Sequence, residues 1–214
     1  MKAFFRSLEV AQITSGVRAI LSNPIVYSLF QRMLGAHQVR TWFVDEVVRP
    51  QPGMRLLDIG CGPADILDYL PALDYQGYDI SEDYLERARK KYGQRGEFHC
   101  GELTTEDVAR MPPFDRVIAI GVLHHLDDAV ATGLLRLASQ ALRPGGRLIT
   151  MDPVLEPGQH PIARFLVKRD RGQNVRTRDG YTALAKTVFE SPTVTIRHKS
   201  GIPYTHCVME CTRR

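Results

Sequence analysis

The stretch "LLDIGCGPADIL", residues 56–67, decides how the rest of the chain is read. Leu56, Leu57 and Ile59 form the short apolar run that a buried parallel strand requires. Gly60 and Gly62 let the backbone turn sharply and come close to a ligand, and a short helix is expected from Pro63 to Leu70. In a doubly wound sheet, such a turn lies beyond the carboxyl end of a strand, where ligands bind. Turns of this kind usually hold a pyrophosphate against a helix amino terminus. Here Asp65 stands where the dinucleotide pattern wants its third glycine, and Asp58 precedes the glycine pair. Between a carboxylate and a diphosphate a few ångströms apart, the repulsion is on the order of kcal/mol. The loop therefore suits a ligand with a cationic end and an adenosine but no phosphate.

Outward from this loop, strand and helix patterns alternate. "MRLLDIG" is strand one and "DYQGYDI" strand two; "SEDYLERARKKYG" is a helix with Ser81 as cap and an apolar stripe of Tyr84, Leu85, Ala88 and Tyr92. "GEFHC" is strand three and "FDRVIAIG" strand four. Asp127 or Asp128 caps a long helix that runs to Leu142 and stops at "RPGG", and "RLITM" is strand five. This rhythm predicts a parallel sheet covered on both faces. After Asp152-Pro153 the rhythm loosens into a basic segment and a helix from Tyr181 to Phe189. Two strands follow near "TVTIRH" and "YTHCVMEC", joined by a short link with Gly201 and Pro203, and they are expected to pair antiparallel. Before strand one, residues 1–48 read as helices. Asn23-Pro24 and Gly35 act as cap and stop, and a third helix carries Val39, Trp42, Phe43, Val47 and Val48. The fold class is α/β, doubly wound: a mostly parallel seven-stranded sheet with a C-terminal antiparallel hairpin and an N-terminal helical cap. The expected division is a cap over residues 1–50 and one domain over 51–214.

S-adenosylmethionine has the chemistry the loop asks for: an ammonium, a sulfonium and an adenosine. "LLDIGCGPA" resembles the first motif of class I S-adenosylmethionine-dependent methyltransferases, acid-x-Gly-x-Gly-x-Gly. Asp58, Gly60 and Gly62 match, and Ala64 departs at the third small position. The resemblance continues through "YDIS", "CGEL", "FDRVIAIGVLHHL" and "ALRPGGRLI", covering residues 54–150. It implies that Asp79 holds the ribose hydroxyls, a role its distance of roughly 20 residues from the glycine loop fits. It places Ile80 against adenine, Glu102 at the adenine amino group and Leu103 beside the ring. Asp58, Gly60, Cys61, Gly62, Asp79, Ile80, Glu102, Leu103 and Gly121 form the expected cofactor set. The family more often has Asp at the position of Glu102.

Methyl transfer is an in-line displacement in which the cofactor supplies the leaving group. The protein aligns the acceptor and, where needed, removes its proton. His124 and His125 lie at the end of strand four, where such a base belongs, and imidazole titrates near neutrality. His125 is the favoured base and His124 its packed neighbour; Asp152, just past strand five, is a second acceptor-side candidate. Tyr204 and His206 share a strand face that can reach the same cleft. The alternative is that both histidines only pack the loop. No metal site is expected, because adjacent His residues lack a carboxylate or Cys at ligand spacing. Arg164, Lys168, Arg169, Arg171, Arg176 and Arg178 form a cluster after strand five. It reads either as a lid for an anionic acceptor, as a nucleic-acid patch, or as a solvated face.

The bulk numbers fit a globular enzyme. A chain of 214 residues with 43% hydrophobic and 24% charged content can bury one full core. A formal charge of +4 does not by itself call for nucleic acid. The four cysteines, Cys61, Cys100, Cys207 and Cys211, form no CxxC pair and read as reduced thiols of a cytoplasmic protein. No apolar run has membrane-span length, and the N-terminal apolar core is too short for a secretory signal. Before Asp45 the only acid is Glu9, a bias shared with organellar transit peptides, although the helical cap is the preferred reading. The expected activity is methyl transfer from S-adenosylmethionine to a small-molecule acceptor that can carry an anionic group. The alternatives are an RNA- or protein-directed methyltransferase, a nicotinamide-dependent oxidoreductase, and a non-catalytic cofactor-binding subunit.

Overall fold

The computed structural model describes residues 36–170, 172–198 and 204–214. The expected helices and cap over residues 1–35 lie outside the described residues. The first described element is helix α1, Ala36–Trp42, which widens into a π-helical turn over Phe43–Val48. It ends where expected, before Pro50, with Arg49 in the left-handed region and its N–H on Val44 O at 2.8 Å. Arg147 donates to Val47 O and Val48 O, and Arg116 donates to Val48 O, so guanidinium groups from the sheet satisfy the last carbonyls of this helix.

The sheet strands are β1 Arg55–Ile59, β2 Asp74–Asp79, β3 Glu97–Cys100, β4 Phe114–Ile120, β5 Leu142–Pro153, β6 Thr193–His198 and β7 Thr205–Thr212. They form a seven-stranded sheet in the order β3-β2-β1-β4-β5-β7-β6. The first five run parallel, and β7 is antiparallel to both β5 and β6. The fold class and the hairpin of the last two strands are as the sequence predicts. The strand order reverses between β1 and β4, and the loops after these strands meet at that switch point.

Side-chain alternation splits the core into two halves. Leu56, Ile118, Ile149 and Val208 face α1 and helix α2, Glu82–Tyr92. Leu57, Val117, Ala119, Leu148 and Met209 face the other way, toward helices α4, Asp128–Ala141, and α6, Arg178–Lys186. Adjacent strand residues are buried on opposite faces, which explains why these strands read as near-continuous apolar runs.

Several boundaries differ from expectation, each with a local cause. The helix expected over Pro63–Leu70 is only a 3₁₀ turn, Asp65–Asp68. Ala64 enters it with φ 55°, and Pro71 disfavours the α conformation at Leu70. Helix α4 stops at Ala141, because Leu142 already pairs with Phe114 in the sheet. Strand β5 therefore includes "RPGG" and runs through Asp152, which pairs with Cys207 inside the strand rather than lying past it. Ser81 sits at the N-cap of α2 but makes no side-chain cap bond. Two further helices appear: α3, Thr105–Arg110, opened by a Thr104–Asp107 capping box, and α5, Pro161–Lys168, within the basic segment.

Candidate functional site

The loop after β1 is held by its own amides. Gly60 N and Cys61 N both donate to Tyr78 O, at 2.7 and 3.0 Å, and Gly62 N donates to Asp79 Oδ2 at 2.8 Å. A phosphate cradle needs such N–H groups turned toward the ligand, together with a helix amino terminus behind them. Here the three donors are used within the protein, and a four-residue 3₁₀ turn stands where the helix would be. What the loop offers is open space beside carboxylates. A Cβ on Gly62 or Gly101 would meet no atom within 4 Å, and both residues have positive φ.

Asp79, at the end of β2, accepts from Gly62 N through Oδ2 and from Ser81 N through Oδ1, each at 2.8 Å. Two backbone donors thus fix the plane of this carboxylate, and each oxygen keeps a further lone pair for a hydroxyl. Beside it, Ile80 is 57% exposed, Glu102 is exposed, and Leu103 is buried at the turn after β3. Cys61 is half-buried, and Gly121, with φ 69°, ties the end of β4 to Met151 O at 2.8 Å. These residues stand on loops at the carboxyl ends of β1, β2, β3 and β4.

Asp58 lies behind the loop rather than on it, with its side chain buried. Tyr75 donates its hydroxyl to Asp58 Oδ2 at 2.7 Å. Burial pushes the Asp58 carboxyl up to about 7; the Tyr75 bond lowers it and the Asp79 charge raises it. Tyr75 was not singled out in the sequence. Its ring fits because a Cβ on Gly77 would stand 3.1 Å from Tyr75 Cε1, and one on Gly96 would stand 2.6 Å from Tyr75 Cδ1. The signal in the sequence was a Tyr on β2 with glycines at both close-approach positions.

The loop after β4 is a 3₁₀ turn, Leu123–His125. His124 is buried, with Nδ1 at 2.9 Å from Asp152 Oδ1 and Nε2 at 3.0 Å from Asp170 Oδ1. Carboxylates only accept, so both ring nitrogens donate and His124 is an imidazolium. Burial pulls its pKa down, but the bonds to Asp152 and Asp170 and their charges outweigh this and push it up to about 9. Burial raises Asp170, yet the His124 bond and charge hold its carboxyl well below the usual range. Half-buried His125 packs tilted against His124, ring centroids 4.0 Å apart and planes at 39°. Tyr204 donates to Asp170 Oδ2 at 2.9 Å and lies 4.9 Å, ring to ring, from His206.

The basic cluster divides. Arg176 donates to Leu123 O and Leu126 O, each at 2.7 Å, and pairs with Asp128. Arg178 pairs with Glu156, and Arg169 lies over the Phe165 ring. Arg176 and Arg178 are thus committed to the protein itself, while Arg164 and Lys168 are exposed on α5. Asp170, which no sequence motif marks, is the residue of this segment that reaches the site.

Residues 57–148 match the family described as a methyltransferase domain. An O-methyltransferase of Pyrenophora dematioidea is 31% identical over 155 residues, which cover 64% of this chain and 57% of that protein. The 27-O-demethylrifamycin SV methyltransferase of Amycolatopsis mediterranei is 36% identical over 112 residues, 49% of this chain and 40% of that one. Among solved structures, the pyocyanin biosynthetic protein PhzM has the same fold, with TM-score 0.68 and 16% identity over 94% of this chain and 63% of that one. Over residues 57–148 the chain is thus similar to a methyltransferase domain, and the sheet around it has the fold of these enzymes. The chain spans less than two thirds of the length of these curated relatives. Among the described residues, no helix is long and apolar enough to cross a membrane.

Proposed function

We propose that the protein transfers a methyl group from S-adenosylmethionine to a hydroxyl oxygen of a small organic acceptor. The observation that carries this reading is the loop after β1, whose amides at Gly60, Cys61 and Gly62 are all bonded internally. A diphosphate coenzyme would find none of these amides free and would face Asp79, with Asp58 buried behind the loop. A nucleoside with a cationic amino-acid tail finds the opposite: open space at Gly62 and Gly101 and a fixed carboxylate at Asp79. The relatives named for O-methylation support oxygen as the acceptor atom.

When bound, S-adenosylmethionine supplies an activated methyl and its leaving group. The residues of this chain would do the remaining work. Asp79 orients the ribose, Ile80 and Leu103 flank the adenine, and Glu102 is placed for its amino group. Asp58 adds negative charge behind the loop. On the acceptor side, His124 already holds its protons against two carboxylates, so the proton acceptor is His125. Asp152 positions His124 through Nδ1. Because Arg176 and Arg178 are used internally, an anionic group on the acceptor would fall to the exposed Arg164 and Lys168, and its remainder to shape and to the polar groups around His125, Tyr204 and His206.

Calorimetry and thermal shift test the cofactor. S-adenosylhomocysteine at 100 times its dissociation constant should add about 2.7 kcal/mol of stability, and NADH should add none. Labelled donor incubated with a metabolite extract should then deliver label to organic-soluble products and not to bulk RNA or protein. Stabilisation by NADH without any response to S-adenosylhomocysteine would overturn the reading.

A further inference from the structure

Three separate pieces of chain converge on His124. Asp152 comes from β5 and holds Nδ1; Asp170 comes from the turn after α5 and holds Nε2. Tyr204, just before β7, holds the second oxygen of Asp170. The same turn is tied down around the imidazole by its backbone. Asn174 N donates to His124 O at 2.9 Å, Gly172 N donates to Asp170 Oδ1 at 2.9 Å, and Arg176 binds the carbonyls of Leu123 and Leu126. The approach is so close that a Cβ on Gly172 would stand 2.1 Å from His124 Cδ2 and 2.5 Å from His124 O. Only glycine lets the turn lie flat on this ring.

We propose that Asp170 is a positioning residue: paired with His124, it clasps residues 172–176 onto the loop after β4 and so fixes the acceptor-side wall on which His125 is presented. This deepens the methyl-transfer reading and rests on it for the word acceptor, whereas the clasp stands on geometry alone. His124 cannot be replaced in this role by a neutral tautomer, because neutral imidazole has one donor and the clasp uses two. Removing one carboxylate frees one ring N–H, weakens the turn's hold, and lets the ring against which His125 packs rotate. The charged and titratable groups facing His124 are Asp152 from β5, Asp170 from the turn, and His125 beside it. Tyr204 stands behind Asp170, and Arg176 stands along the same loop.

The test uses the full chain with ¹⁵N-labelled histidine. At pH 8, where an ordinary imidazole is largely neutral, His124 should show the shifts of a doubly protonated ring. In Asp170→Asn its titration should move down by at least one pH unit, and hydrogen exchange at the Asn174 amide should speed up at least tenfold. Binding of S-adenosylhomocysteine should change less than threefold, because none of its proposed contacts is touched. Transfer into the metabolite extract should fall at least tenfold. Tyr204→Phe, which removes the outer hydrogen bond to Asp170, should shift the titration in the same direction by less and guards against a poorly folded Asn variant. A neutral His124 at pH 8 in the parent protein would overturn the clasp. So would an Asp170→Asn variant with unchanged titration and exchange. Intact clasp signatures in a protein that binds no S-adenosylhomocysteine would remove the methyl-transfer reading and leave the clasp standing.

Discussion

Gly60 and Val122 interlock: a Cβ on Gly60 would stand 2.6 Å from Val122 Cγ2. The loop after β1, which faces the cofactor side, is therefore packed against the loop after β4, which carries the histidines. Gly60, with φ 73°, answers to this packing and to its left-handed backbone, whereas Gly62, with φ 53°, faces open space. The two glycines of the motif do different physical work.

Alanine at these positions should separate the two roles. Gly60→Ala combines a left-handed backbone penalty of about 1–2 kcal/mol with overpacking of about 1–3 kcal/mol. It should lower the melting temperature by roughly 4–20 °C in a domain of this size. Gly62→Ala carries only the backbone penalty, so its melting temperature should fall by roughly 2–8 °C. Its methyl projects into the open space, and S-adenosylhomocysteine affinity should fall more than tenfold. Equal stability losses in the two variants would contradict this division.

Asp79 should be the largest single contributor to cofactor affinity. Hydrogen bonds to a charged group contribute about 1.5–3 kcal/mol, so Asp79→Ala should weaken S-adenosylhomocysteine binding by about 100-fold. Asp79→Asn keeps one acceptor oxygen and presents an NH₂ to either Gly62 N–H or Ser81 N–H. Its affinity should fall between the two. Calorimetry reads both, and a loss below threefold in Asp79→Ala would mean that the ribose lies elsewhere.

Cofactor binding should also depend on pH through Asp58. Its carboxyl is pushed up to about 7, first by burial. A cationic ligand favours the ionised form, which rises from about a tenth to about nine tenths of the population between pH 6 and pH 8. Affinity should therefore rise about tenfold over that range. The Tyr75 hydroxyl lowers this pKa, so Tyr75→Phe should move the midpoint of the rise to higher pH. An affinity that is flat from pH 6 to pH 8 would uncouple Asp58 from the ligand.

Much of this architecture was legible in the chain, for identifiable reasons. Strands β1 and β4 are covered on both faces, so their apolar runs are continuous and bounded by Gly60 and Gly121. The pairing of β6 with β7 followed from the short Gly201–Pro203 link between two apolar runs. Local signals misjudged the elements where tertiary contacts take over. Ala64 is left-handed because the loop amides are bound to Tyr78 O and Asp79, and no propensity reveals that. Strand β5 extends back to Leu142 because Phe114 pairs with it across the sheet, overriding the breaking effect of "RPGG". Asp170 and Tyr75 were hidden for the same reason. Each acts on a partner far along the chain, Asp170 on His124 and Tyr75 on Asp58, and neither lies in a motif.

Stability should decline from mildly acidic to alkaline pH. Asp58 has a folded pKa above its unfolded value, so its contribution is fully present below about 4 and is lost as pH rises through about 7. His124 also titrates higher in the folded protein. Its contribution is fully present below about 6.5 and is lost as pH rises through about 9. Asp170 acts in the opposite sense: its folded pKa is depressed, so its contribution is present above the ordinary carboxylate range and is lost only in strong acid. Between pH 6.5 and pH 8.5 most of the decline thus belongs to the imidazolium held between Asp152 and Asp170; above that range the thiols of Cys61, Cys207 and Cys211, which burial pushes up, add to it. Denaturant unfolding at pH 6.5 and at pH 8.5 should differ by about 2–3 kcal/mol in the parent protein. In His124→Gln most of that difference should vanish, and stability at pH 6.5 should fall by about 3–5 kcal/mol because Asp152 and Asp170 are left facing each other without a cation. A His124→Gln variant that keeps the parent's decline between pH 6.5 and pH 8.5 would show that some other group titrates there.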